Sequence, residues 1–170
     1  MDLRTPNMAG FQLLDLQDYP GQGSAYVGIL DAFLDTKGMC TAEEWRGFCA
    51  PVVPLLIADK FCYTNDETLH AKVQIANYGE ESLKGKHIKW TLGTKQGYLT
   101  IESNQYGLIE AGTLDITLDD YREATKLLLT LAIEGKPECN TYELWVYPAQ
   151  NNLEELKNKT LITSTLTTDV

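Results

Sequence analysis

Four aspartates, Asp15, Asp18, Asp31 and Asp35, crowd one stretch near the N-terminus. Paired carboxylates are the groups that acid–base and glycosidic chemistry require. The alternative is that they cap turns and the loop's own amides. The same stretch holds PGQGS, residues 20 to 24, whose glycines could turn backbone N–H groups toward a phosphate. A phosphate loop of the Walker type also needs a lysine followed by serine or threonine, and no lysine comes until Lys37. That leaves a tight loop, with left-handed backbone expected at Gly21 and Gly23. Cys40, Cys49, Cys62 and Cys139 show no C-x-x-C spacing and no histidine cluster, so zinc is not expected and they read as buried free thiols. His70 and His87 take outward positions in neighbouring strand patterns, which makes them a surface pair rather than metal ligands. No serine or cysteine has a histidine partner in any motif, so no nucleophile–base pair can be assembled and no catalytic residue is assigned. Neither a metal nor a cofactor is implied. Trp145 and Tyr147 share one strand face, where flat rings could stack on a sugar or pack on a neighbouring domain or second sheet.

The elements that must hold these residues differ along the chain. Gly10 to Leu16 reads as a buried strand, with Asp15 opposite Leu14 and Leu16, and with Gln17 and Asp18 where the strand ends. Acids at the C-terminal end of a strand hold active-site positions in α/β barrels. Thr41 followed by Glu44 predicts a capping box and a short helix over 41–49. In PVVPLLI, residues 51 to 57, two prolines exclude a helix interior and suit an extended edge segment or linker, so a boundary is expected there.

Beyond that point the apolar period changes to two. Leu69, Ala71, Val73 and Ile75 alternate with polar residues, and so do Ile88, Trp90 and Leu92. Further strands read at 97–103, 114–118, 126–134 and 141–148, joined by Gly, Asn and Asp turns. Six strands at this spacing predict an antiparallel β-sandwich, with Trp90 inward between its sheets as in immunoglobulin-like domains. Trp90→Ala would then be among the costliest single changes, about 3–5 kcal/mol. The tail from Asn152 offers one capped helical turn and then strand-like TLITSTL, which reads as the start of a further element.

With 170 residues, 44% of them hydrophobic, the chain has enough apolar material for one ordinary domain and an appendage. Its formal charge of -10 repels the phosphates of nucleic acid and of anionic membranes, so neither is an expected partner. The sequence has no apolar run long enough to cross a bilayer, and MDLRTPNMAG has no signal-peptide core.

The run LRTPNMAGFQLLDLQDYPGQGSAYVGILDAFLDTKG, with EEWRGFC after it, resembles the end of the catalytic barrel in a bacterial branch of the family 2 glycoside hydrolases, the β-galactosidase, β-glucuronidase and β-mannosidase relatives. AKVQIANYGEESLKGKHIKWTL and NTYELWVYP are similar to the immunoglobulin-like domain that follows the barrel there. The resemblance implies three parts. Residues 1–50 would be a remnant of the last strand, loop and helix of an (α/β)8 barrel, 51–150 an immunoglobulin-like β-sandwich, and 151–170 a linker and the start of a further truncated domain. It also implies a non-catalytic C-terminal part of a retaining glycoside hydrolase, with the sandwich as an accessory domain packed on the barrel. Both catalytic glutamates would lie on earlier strands, before Met1, so the chain alone would be inactive. Gln17 and Asp18 would contact substrate at the rim of the intact site. The implied partners are carbohydrate and the rest of the parent enzyme, and the parent would be periplasmic or secreted. An exposed barrel remnant should also drive self-association through Leu13, Leu14 and Leu16. The alternative function is a carbohydrate-binding module using Trp145 and Tyr147; a third is an independent hydrolase using Asp18 with another aspartate.

Overall fold

The computed structural model describes residues 2–21 and 26–149. After a 3₁₀ turn at Asp2–Arg4, the first regular element among them is the helix α1 (Ala42–Arg46). Its start follows the expected capping box. Thr41 Oγ1 accepts from the Glu44 N–H at 3.1 Å, and Glu44 Oε2 accepts from the Thr41 N–H at 2.7 Å. The helix closes at Gly47, short of the expected Cys49, because it has no buried face to extend it.

Eight strands follow: β1 (Val52–Ala58), β2 (Cys62–Thr64), β3 (Thr68–Asn77), β4 (His87–Leu92), β5 (Lys95–Thr100), β6 (Gly107–Thr117), β7 (Thr125–Ile133) and β8 (Cys139–Tyr147). They form two sheets, one in the order β1-β3-β6 and the other in the order β2-β8-β7-β4-β5. Every pairing is antiparallel except that of β2 with β8. The fold is therefore mainly β with two sheets, consistent with a sandwich. PVVPLLI forms the edge strand β1, the position where Pro54 can lack an N–H without breaking a ladder on both sides.

The alternating residues of both sheets meet in one core. Leu69, Val73 and Ile75 of β3 and Leu114 and Ile116 of β6 pack with Ile88 and Leu92 of β4, Leu129, Leu131 and Ile133 of β7, and Leu144 and Val146 of β8. Tyr142 joins the sheets by hydrogen bonds. Its hydroxyl accepts from the Leu56 N–H at 3.1 Å and donates to the Pro54 carbonyl at 3.2 Å. Burial, partly offset by the Leu56 N–H and by Arg4 nearby, raises the pKa of this phenol.

Three expectations change here. Residues 10–16 form no strand: they run as irregular chain, and Phe11, Leu13, Leu14 and Leu16 are exposed. A strand needs a neighbour to satisfy its backbone, and the sole ladder contact nearby is a single bridge from Gln17 to Leu30. The cysteines are free but not buried. Cys49, Cys62 and Cys139 are exposed and Cys40 is partly so, because Cys62 and Cys139 open their strands at the sheet margin. His70 and His87 do not sit on neighbouring strands. The first lies in the three-stranded sheet and pairs with Asp115; the second lies in the other sheet, 3.2 Å from the Thr100 hydroxyl.

Trp90 shares a face with Ile88 and Leu92 and packs on the core, but it is half-buried rather than enclosed. Its indole lies over Gly97, where a Cβ would come within 2.8 Å of ring atoms. The ring covers the edge of the core where β5 has no side chain. Trp90→Ala should accordingly cost about 2–3 kcal/mol, less than for a fully enclosed tryptophan, as read from urea denaturation. A loss under about 0.5 kcal/mol, the size of an ordinary surface change, would show that the indole does not seal the core.

Candidate functional site

The aspartate-rich stretch folds around one carboxylate. Asp18 is 6% exposed, one of two buried polar residues among those described. Its Oδ1 accepts from the Gly28 N–H at 2.9 Å, and Lys37 Nζ reaches Oδ1 at 2.9 Å and Oδ2 at 3.0 Å. The same ammonium donates to the carbonyls of Tyr26 at 3.2 Å and Gly28 at 3.0 Å. Asp18 and Lys37 thus clasp three strands of loop together. The backbone adds a clamp beside them, from the Asp18 N–H to the Leu30 carbonyl and from the Leu30 N–H to the Leu16 carbonyl, each at 3.0 Å.

Gly28 is required for that closeness. A Cβ there would meet the Gln17 carbonyl carbon at 2.2 Å and the Asp18 nitrogen at 2.3 Å. These are backbone atoms, which cannot turn aside as a side chain can. Gly21 does not take the left-handed backbone expected of it, and a Cβ there would meet only the tip of the exposed Tyr19 ring, at 2.8 Å, which can turn aside. Gly23 lies outside the described residues. Asp31 serves as a turn cap, its Oδ1 accepting from the Phe33 N–H at 2.8 Å and the Asp35 N–H at 2.9 Å.

This geometry bears on what the carboxylates can do. Both Asp18 oxygens accept hydrogen bonds from Lys37, Oδ1 also from Gly28, and the residue is buried, so its carboxylate is spent on holding the loop. Gln17, next to it, is exposed. The structure keeps Asp31 occupied with its own turn. Among the described residues no group of three His, Cys, Asp or Glu side chains is arranged to hold a metal ion.

What surrounds the clasp is apolar and exposed. Twelve of the sixteen large hydrophobic side chains exposed among the described residues lie between Met8 and Phe48, including Leu14 at 75%, Phe33 at 86% and Met39 at 66%. The segment has a charged interior and a greasy exterior, the reverse of the sandwich. Sequence reasoning saw the leucines and saw Asp18. It could not see that Lys37, nineteen residues on, would draw the acid inward and turn the leucines out.

The second candidate face lies on the five-stranded sheet. Trp145 is half-buried, and the Lys126 ammonium sits over its ring at 5.6 Å while also pairing with Glu143. One face of the indole is thus covered by a cation. Tyr147 is 47% exposed, beside Thr64 of β2.

A model for a family described as Domain of unknown function (DUF8488) matches residues 67–148. That span runs from the start of β3 to the end of β8 and leaves out β1, β2 and the clasp. No curated protein matches the chain.

The clasp is local, so its loss should open the loop and spare the sandwich. Lys37→Met, which leaves the Asp18 carboxylate buried and alone, should speed proteolytic cleavage between residues 19 and 36 by about tenfold or more, with the thermal midpoint of the sheets unchanged. Gly28→Ala should do the same by prising the loop apart. Unaltered cleavage in both variants would show that the clasp does not hold this segment.

Proposed function

We propose that this chain is the non-catalytic C-terminal part of a glycoside hydrolase. In this reading the two-sheet domain is an immunoglobulin-like accessory domain, and residues 8–48 are the surface by which it packs on the catalytic barrel. The single observation that carries the reading is the reversed polarity of that segment. A loop closed on a buried ion pair, with its leucines and phenylalanines outward, gains little by burial in isolation and much by docking on an apolar surface. Exposed apolar area of this extent marks an interface rather than ordinary surface.

Two further features support it. Residues 3–49 carry the resemblance to the end of a family 2 barrel. The strand order, with β1-β3-β6 in one sheet and β2-β8-β7-β4-β5 in the other, has the hairpin-and-crossover connections that immunoglobulin-like sandwiches use. The engagement of both Asp18 oxygens argues against this residue as a hydrolase's working acid, and the Lys126 cover over Trp145 removes one stacking face from a carbohydrate-binding module. Carbohydrate would then be a partner of the intact parent, with Gln17 nearest its rim.

The test is the reading frame upstream of Met1 together with the activity of the chain alone. An in-frame barrel carrying two suitably spaced glutamates is expected, and no hydrolysis of chromogenic galactosides, glucuronides or mannosides by the chain itself. A chain that hydrolyses any of these, and loses the activity in Asp18→Asn, would overturn the proposal.

Without a barrel to cover it, the same face should meet a second copy of the chain. Sedimentation should show concentration-dependent association that Leu14→Asp with Phe33→Asp abolishes. A strictly monomeric wild-type chain that also binds no hydrophobic dye would count against residues 8–48 as a docking surface.

A further inference from the structure

Where the N-terminal turn lies against the three-stranded sheet, the structure forms an open pocket of about 400 Å³. Phe11, Phe48, Val53 and Leu55 form its apolar wall, and Arg4, Asn140 and Tyr142 bring polar groups to it. The volume lies within the range of small-molecule sites, and a mostly apolar wall with few polar groups is their usual make-up.

The hydrogen bonds show which polar group is left for a ligand. The Tyr142 hydroxyl donates to the Pro54 carbonyl and accepts from both the Leu56 N–H and Asn140 Nδ2. Asn140 Nδ2 spends its two protons on that hydroxyl, at 2.9 Å, and on the Pro54 carbonyl, at 3.1 Å. Its Oδ1 accepts from the Thr141 N–H. These two side chains brace the wall and have no donor left over. Arg4 differs: it is half-buried beside the Tyr142 hydroxyl, and its guanidinium carries more N–H donors than that one neighbour takes. In a chain carrying 24 acidic against 14 basic residues, an arginine lining an apolar pocket is a distinct feature.

We infer that this cavity is a binding site for a small carboxylate with an apolar, preferably aromatic, body. The guanidinium fork receives both carboxylate oxygens, and the phenyl walls of Phe11 and Phe48 take the ring. A sugar acid fits less well, because its hydroxyls would face a wall whose donors are already spent. The inference uses no residue of the clasp and no barrel, but Phe11 and Phe48 also lie in the face proposed above to dock, so the site is the one open in the free chain.

Benzoate is the probe, titrated into the full chain and followed by amide chemical shifts. Saturable shifts should centre on Gly47, Phe48 and Asn140. Arg4→Gln should weaken binding by about tenfold or more and Arg4→Lys by less, since lysine keeps the charge without the fork. Phe48→Ala should weaken it about threefold or more. Benzamide, without the charge, and glucuronate, without the apolar body, should each bind at least about tenfold more weakly than benzoate. An unchanged thermal midpoint in Arg4→Gln would separate lost binding from lost structure. The proposal fails if benzoate shows no saturable shifts at these amides, if benzamide or glucuronate matches it, or if Arg4→Gln binds as the wild type does.

Discussion

The structure depends on one constraint, that the side chains of β3, β4, β6, β7 and β8 alternate in step, so that every second residue from both sheets reaches the same core. A slip of one residue in any pairing would turn a whole apolar set to solvent. Full burial of each large aliphatic chain in this core contributes roughly 1.5–3 kcal/mol, so the register is held by many such terms at once. The one irregularity respects the constraint. Between Val73 and Gln74 the β3–β6 register shifts, β6 carries one extra residue, and Gly112, with φ of 139°, takes the backbone that the bulge needs. After the bulge Leu114 and Ile116 are inward again.

That bulge also decides what could be read in advance. The alternation over 114–118 is clean, so the second half of β6 is visible in the sequence. Its first half, from Gly107 to Ala111, runs in the opposite phase, and across Gly112 and Thr113 two successive residues are exposed. A period-two pattern cannot be followed through a change of phase. β2 escaped for another reason: three residues pairing in parallel with β8 are too few to show any period. The capping box and the remaining strands were legible because each is specified within a few residues of sequence.

The N-terminal segment was misread on a single physical point. An apolar run reports that a surface is to be covered and says nothing about what covers it. Gly10–Leu16 carries the composition of a buried strand, yet no neighbouring strand exists among the described residues to pair with it. The burial of Asp18 was likewise invisible, since it depends on Lys37 and on the absence of a side chain at Gly28, contacts that no local pattern encodes. The Arg4 cavity belongs to the same class. Its walls come from the N-terminal turn, the end of α1, β1 and β8, and only the fold brings them together.

The two parts of the chain therefore solve opposite problems. In the sheets, apolar burial supplies the stability and the polar residues, outside, supply little. Around Asp18 the polar contacts are inside, and such contacts specify a shape more effectively than they stabilise it, because desolvating the charges offsets most of their attraction. A segment held in shape by a clasp and not by a core is preformed without being self-sufficient. Its ordering cost is met before any partner arrives, and the burial of Leu14, Phe33 and their neighbours is left to be gained on contact. On the proposal that residues 8–48 dock on an apolar surface, the clasp would keep those side chains from collapsing on one another before that surface is met.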